Sequence, residues 1–270
     1  MDERTSKDPA AEPVAGSSPA GASLVGSDRV LAVLAELARH PSGVGLDELA
    51  RAFDSPKPTI HRALAALRRA GFATLNGRGN YQLGDEFIRL AFSNHEARPD
   101  HLRVQPILEE LAQRLGETAH YAVLDGASVV YRSKVDPLVG AVKLSSVIGG
   151  RNPAHSTAVG KLLLSYRLRD DAAVEAWVRN TDLVARTERT KTAPADLAAD
   201  FALIRRRGFS TDDQENETGI NCLALPVFLS SPSLPSGAIS VSALTYRTPL
   251  AALVDDLPAI RAVIERRAAA

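Results

Sequence analysis

The chain has 270 residues, enough for two domains with separate cores, and its 45% hydrophobic and 24% charged residues exclude a disordered or fibrous protein. Lysine plus arginine and aspartate plus glutamate stand at 32 each, so the total charge gives no sign of a nucleic-acid partner and only an uneven distribution can. A single cysteine, Cys222, excludes an internal disulfide.

Residues 1 to 26 are rich in Ala, Pro, Gly and Ser, a composition that buries too little apolar surface to offset its ordering entropy, and they predict a disordered arm. The acidic start Met1-Asp2-Glu3 lacks the basic region and apolar stretch of a signal peptide. The apolar run from Val30 to Leu37 is broken by Glu36 and is too short to span a bilayer, so a cytoplasmic protein with no membrane partner is expected. A first helix is predicted from Ser27 to Arg39, with Val30, Leu31, Leu34, Leu37 and Ala38 on its buried side, ending at His40-Pro41-Ser42-Gly43. Leu46, Leu49, Ala50 and Phe53 mark a second helix, Asp54-Ser55-Pro56 interrupt it, and Ile60, Ala63, Leu64 and Leu67 form the apolar stripe of a third. Pro58, Arg62, Ala65 and Arg69 lie opposite that stripe, flanked by Thr59, His61 and Ala66: a small, basic face. From Lys57 to Arg69 there are four positive charges and no acidic residue, and residues 27 to 83 carry eight Lys plus Arg against five Asp plus Glu. Such a local field attracts phosphates whatever the total charge. Gly71 stops the helix, and Phe72 to Leu75 and Tyr81 to Leu83 flank the turn Asn76-Gly77-Arg78-Gly79-Asn80, which holds Arg78 at its tip. Helix, turn, helix and wing over 27 to 84 suit a DNA groove; a helical hairpin with a solvated basic face is the bland alternative.

The segment Pro56-Lys57-Pro58-Thr59-Ile60-His61-Arg62-Ala63-Leu64 resembles the recognition segment of the IclR family of bacterial transcriptional regulators, which commonly reads Pro-Lys-Ser-Thr-Val-His-Arg-Leu-Leu. Pro58 departs from it by removing a hydroxyl and a backbone N–H, so no phosphate contact is expected there. With Ser55 as N-cap, both prolines fall in the first turn, whose N–H groups have no intrahelical partners, and the helix survives. DNA contacts are expected from Lys57, Thr59, His61, Arg62 and Arg69, with Arg78 on the wing.

Asp85 to about Glu96 is amphipathic through Phe87, Ile88, Leu90 and Ala91, and the resemblance implies a connecting helix over 85 to 98, broken by Pro99. Leu102 to Leu115 predicts a helix ending at Gly116, after which the apolar period shortens towards two. Strands are predicted at Thr118–Leu124 and Ser128–Ser133, joined by Asp125-Gly126, and at Leu138–Ile148. Helices follow at Thr157–Tyr166, Asp171–Arg179 and Pro194–Gly208, strands at Gly219–Leu229 and Ala238–Tyr246, and a last helix at Leu250–Arg267. The fold class expected is α+β with two domains: a winged helix-turn-helix, then an antiparallel-sheet domain over 99 to 270. The order of elements resembles the GAF-like effector domain of the same family, and the resemblance covers about residues 27 to 267. Its most specific marks run from Gly150 to Lys161, from Asp212 to Cys222 and from Ala238 to Ser242.

Ser156 and Thr157 are good N-caps, and the open first turn behind them can receive an anion on unpaired N–H groups; the residues alone favour an ordinary capped helix, and it is the family resemblance that favours the anion site. Ser240 and Ser242 alternate with Ile239 and Val241, which puts both hydroxyls on one sheet face as a polar patch in a pocket, unless that face meets solvent. The resemblance implies an effector site in which the amides of Ala158 and Val159 hold the anionic end of a small organic acid. Asp212, Cys222, Ser240 and Ser242 would contribute side chains there and Ile220 an apolar wall. Enzyme signals are weak. Val159-Gly160-Lys161-Leu162 ends like a phosphate-binding loop, yet His155 and Leu162 stand where that motif needs glycine and a hydroxyl. Pairing Cys222 with His155 or His120 as a nucleophile lacks a third orienting residue. The six histidines are scattered, so neither a metal nor any other cofactor is expected, and Asp212, Asp213, Glu215 and Glu217 read by default as a solvated acidic loop. The sequence therefore points to a ligand-responsive regulator, a homodimer or homotetramer on a near-palindromic operator. Its rivals are a Cys-dependent hydrolase tethered by a winged helix and a constitutive DNA-binding protein without an effector.

Overall fold

Apolar spacing of three and four residues draws the first helices of the computed structural model, which describes residues 26–96, 99–137, 144 and 146–268. The expected arm falls outside the described residues apart from Gly26, as does most of the expected Leu138–Ile148 strand. Two units divide the chain between Ser93 and Asn94.

In the first unit, α1 (Gly26–Leu37), α2 (Leu46–Ala52) and α3 (Lys57–Arg69) pack around Val33, Leu37, Leu49, Ile60, Leu64 and Leu67. The α1 stripe runs through Val30, Val33, Leu34 and Leu37, so Leu31 and Ala38, predicted to be buried, are exposed; 100° per residue turns them off the face that Val33 centres. Pro56, not Ser55, holds the N-cap position of α3. Ser55 Oγ instead donates to Phe53 O at 3.0 Å. Pro58 still lies in the first turn, where a missing N–H costs no intrahelical bond. The wing is the antiparallel pair β1 (Ala73–Leu75) and β2 (Tyr81–Leu83), and Val44 bridges to Tyr81 on the other edge. Helix α4 (Asp85–Glu96) follows and runs across the division between the units.

The second unit is built on a six-stranded antiparallel sheet in the order β5-β4-β3-β8-β7-β6. Its strands are β3 (Thr118–Asp125), β4 (Ser128–Val135), β5 (Arg151–Pro153), β6 (Ser210–Asp213), β7 (Ile220–Val227) and β8 (Gly237–Leu244). Alternation along β3, β7 and β8 sends residues to opposite faces. Tyr121, Leu223, Ile239 and Val241 meet α5 (Pro99–Leu115), α9 (Leu250–Asp255) and α10 (Leu257–Ala268) in one core. Ala122, Ala224 and Ala238 meet α6 (Ala158–Arg167), α7 (Asp171–Arg179) and α8 (Pro194–Arg207) in the other. A single last helix is thus corrected to two, because the chain turns at Asp256 before Pro258 enters the first turn of α10. Strand β6 was not expected: in Ser-Thr-Asp-Asp only Thr211 favours a strand and the two aspartates oppose it, so the segment is held by pairing with β7. Among the described residues no helix is long and apolar enough to cross a membrane.

Candidate DNA-reading face and effector pocket

Because Ile60, Ala63, Leu64 and Leu67 anchor α3 in its core, the opposite side must face outward: His61, Arg62 and Arg69 are exposed and Thr59 is half-buried. Arg62 Nη2 reaches Thr59 Oγ1 at 3.5 Å. Lys57 is exposed too, but its ammonium lies 2.8 Å from Asp47 of α2, which offsets one of the four charges read along this helix. The wing turn is locked by Asn76, whose Oδ1 accepts from the amides of Arg78 and Asn80, both at 3.0 Å. Gly79 supplies the required positive φ of 80°, and the Arg78 side chain stays in solvent. Arg68, also exposed, is a fifth cation on α3 and the wing that the opposite-face reading passes over.

In the second unit, cross-strand register places Asp212, Cys222, Ser242 and Thr118 side by side in one row across β6, β7, β8 and β3. The next row on the same face runs Ser210, Ala224, Ser240 and His120. This is the face that α6 covers, so Ser240 and Ser242 are buried, at 4% and 5% exposure, which excludes solvent-facing hydroxyls. Cys222 Sγ donates to Ser242 Oγ at 3.1 Å, and Ser242 Oγ lies 3.4 Å from His120 Nδ1. Ile220 is on the same face of β7, two residues before Cys222 and half-buried. At the start of α6, Thr157 Oγ1 caps the amide of Gly160 at 3.1 Å and Thr157 O takes that of Lys161 at 2.9 Å. The amides of Ala158 and Val159 have no acceptor among the described residues, although both residues are buried.

The acidic loop is solvated only in part: Glu217 is exposed and Asp213 half-buried, as the default reading had them, but the other two are not. Asp212 and Glu215 are buried, and Asp212 Oδ1 accepts from the amides of Glu215 at 2.7 Å and Asn216 at 3.4 Å. Burial pushes the Asp212 carboxyl up to about 7, against those amides and Lys161, which pull it down. Lys161, the end of the failed phosphate-loop pattern, is buried and donates to Asp200 at 2.9 Å and to Glu215. Sequence reasoning missed that network, since nothing in the spacing of residues 161, 200 and 215 announces it. It also weighed His120 only as a partner for cysteine. His120 meets Ser146 Oγ at 2.7 Å and the Tyr131 ring at 5.0 Å, and Tyr131 Oη accepts from Asn152 at 3.2 Å. Asn216 accepts from Ser156 at 3.1 Å, tying the loop after β6 to the start of α6. Alternation from Thr118 to His120 was the available signal for a polar floor. The nucleophile reading fares badly here. Burial, then Asp212, holds the Cys222 thiol well above its ordinary range, burial pushes His120 down to about 3, and His155 bonds to Val184 O instead.

Residues 27–77 match the IclR helix-turn-helix domain and residues 101–265 the C-terminal domain of the bacterial transcriptional regulator IclR. The transcriptional repressor IclR of Escherichia coli K12 is 30% identical over 250 residues, covering 91% of this chain and 87% of that protein. In fold, the Thermotoga maritima IclR superposes with a TM-score of 0.73 at 23% identity, over 89% of this chain and 96% of that one. An IclR homolog from Microbacterium hydrocarbonoxydans, complexed with 4-hydroxybenzoate, gives 0.69 at 20% identity, over 88% and 99%. Matched in both units and in the same order, the chain belongs to the IclR family of bacterial transcriptional regulators, proteins that bind operator DNA and small-molecule effectors rather than catalyse a reaction.

Proposed function

We propose that the protein is a cytoplasmic repressor of a catabolic or metabolic operon, released or strengthened on a near-palindromic operator by a small organic acid. The observation that carries the effector half is the polar face of buried Asp212, Ser240 and Ser242 and half-buried Cys222, beneath a helix whose Ala158 and Val159 amides have no acceptor among the described residues. Two open N–H groups at the positive end of a helix dipole suit a carboxylate, and the hydroxyls and thiol suit the polar atoms of its body. Ile220 supplies apolar wall. On the DNA side, Arg62, Arg69, His61, Thr59 and Lys57 would follow the groove and Arg78 would meet the backbone from the wing. A homodimer or homotetramer is supported by the exposed apolar residues Phe87, Ile88, Leu90 and Phe92 of α4, and paired modules would read paired half-sites. The test is calorimetric titration of the full chain with pyruvate, benzoate and other small carboxylates. At least one should bind, and Ser240→Ala with Ser242→Ala should weaken it by about 1.5 to 3 kcal/mol per lost bond to a charged ligand. Equal binding by the double variant would place the effector elsewhere.

A further inference from the structure

The run Val159-Gly160-Lys161 ends in a lysine that the effector reading leaves without a role. Lys161 is 1% exposed, and its ammonium donates to Asp200 of α8 at 2.9 Å and to Glu215 in the loop after β6. Half-buried Lys191 adds a second cation 2.7 Å from Asp200. Taking an ammonium and two carboxylates out of water is costly, and apolar side chains of similar volume often hold a fold as well or better. Stability alone therefore does not account for the network; the placement of the chain segments it joins does.

Those segments are the two sides of the effector pocket. The amides of Glu215 and Asn216 donate to Asp212 Oδ1 at 2.7 Å and 3.4 Å, so where Glu215 goes, the Asp212 carboxyl follows. Lys161 stands on α6 within one turn of the open Ala158 and Val159 amides. Its contact with Glu215 thus spans from the helix start to the loop that holds Asp212. Ser156, just ahead of α6, makes a parallel link to Asn216 at 3.1 Å, but between neutral groups. The charge-assisted link is the stronger of the two. We infer that Lys161 is a positioning residue of the effector site: through Glu215 it fixes the Asp212 carboxyl relative to the Ala158 and Val159 amides. The inference rests on the effector reading above and adds to it the residue that sets the width of the pocket.

The experiment compares Glu215→Gln with Glu215→Met in the full chain. Both remove the same charge at nearly the same length, but only glutamine keeps an oxygen that accepts from Lys161. Lys161 retains Asp200 as counter-ion in each. Without ligand, hydrogen exchange at the amides of residues 215 and 216 should stay near wild type in Glu215→Gln. In Glu215→Met it should speed up about tenfold or more there, with the rest of the second unit unchanged. Calorimetric titration with pyruvate and benzoate should show carboxylate affinity kept in Glu215→Gln and weakened about tenfold or more in Glu215→Met. Lys161→Met with Glu215→Gln should behave as Glu215→Met does, which assigns the effect to the lysine. That double variant removes one charge of each sign, so it decides the matter should Glu215→Met fail to fold. Equal exchange and equal affinity in the glutamine and methionine variants overturn the inference. So does exchange that quickens evenly over the second unit, the mark of a contact that only stabilises. Failure of wild type to bind either carboxylate counts against the effector reading instead, since the placement of Asp212 is read without ligand.

Discussion

Arg62 stands opposite the buried stripe of α3, fully outside the core, and among the described residues its side chain makes only a long contact to Thr59. A guanidinium so placed is available for a guanine edge, and Arg62→Ala should cost about 1 to 3 kcal/mol of specific binding while leaving binding to random DNA less affected. Equal loss on both, measured by fluorescence anisotropy, would make it a phosphate contact. Arg78 differs, because a locked wing turn presents it without an apolar backing. Arg78→Ala should lower the slope of log affinity against log salt by about 0.9, the change for one phosphate contact. Asp212 is the residue with the clearest pH signature. Its carboxyl, ordinarily near 3.8, is held near 7 by burial, so the folded protein keeps a proton that the unfolded chain releases. That contribution to stability is fully present below about 4 and is lost as pH rises through about 7. His120, pushed from 6.5 down to about 3, works oppositely: its contribution is present above 6.5 and lost as pH falls through 3. Asp212→Asn should therefore gain more stability over wild type at pH 8 than at pH 5 in urea unfolding. It should also flatten the weakening of carboxylate binding expected as Asp212 ionises and repels the ligand.

At the scale of elements, α6 depends on close approach. A Cβ on Gly160 would lie 2.2 Å from Ala154 O and 2.4 Å from its Cα, so the helix start is pressed against the backbone that precedes it. Gly160→Ala should cost about 1 to 3 kcal/mol by overpacking, visible as a lower melting temperature, and should displace the Ala158 and Val159 amides. How legible such elements were in the sequence depended on what holds them. Helix α3 and the wing were readable because period, breaker and turn residues agree over Pro56 to Leu83, and the paired serines of β8 were readable because alternation alone fixes their face. Strand β6 and the buried loop after it were not, since the strand is held by pairing with β7 and the loop by Lys161, 54 positions away in the chain from Glu215. Ser55 looked like the cap and Pro56 took the place, with φ −56° and ψ 138°. The roles of Ala158, Val159, Asp212, Ile220 and Cys222 came from family resemblance, and only the placement of those residues is geometry.

On the scale of the whole molecule, the unit to Ser93 carries the basic face and the unit from Asn94 carries the polar pocket, and α4 is a continuous helix through the division. A regulator of this kind needs the effector and the operator to prefer arrangements of the assembly that differ in free energy, and linkage then forces each to change the affinity of the other by the same factor. The most direct measurement takes an operator selected from random DNA by the full chain and determines its affinity with and without a saturating small carboxylate, in wild type and in the Ser240→Ala, Ser242→Ala variant. Wild type should change its operator affinity by about 5- to 150-fold, with the carboxylate affinity changing by the same factor when operator is bound. The double variant should bind the operator as wild type does without ligand and should not respond. A wild type whose operator affinity no carboxylate alters, or a double variant that responds as fully as wild type, would contradict the account.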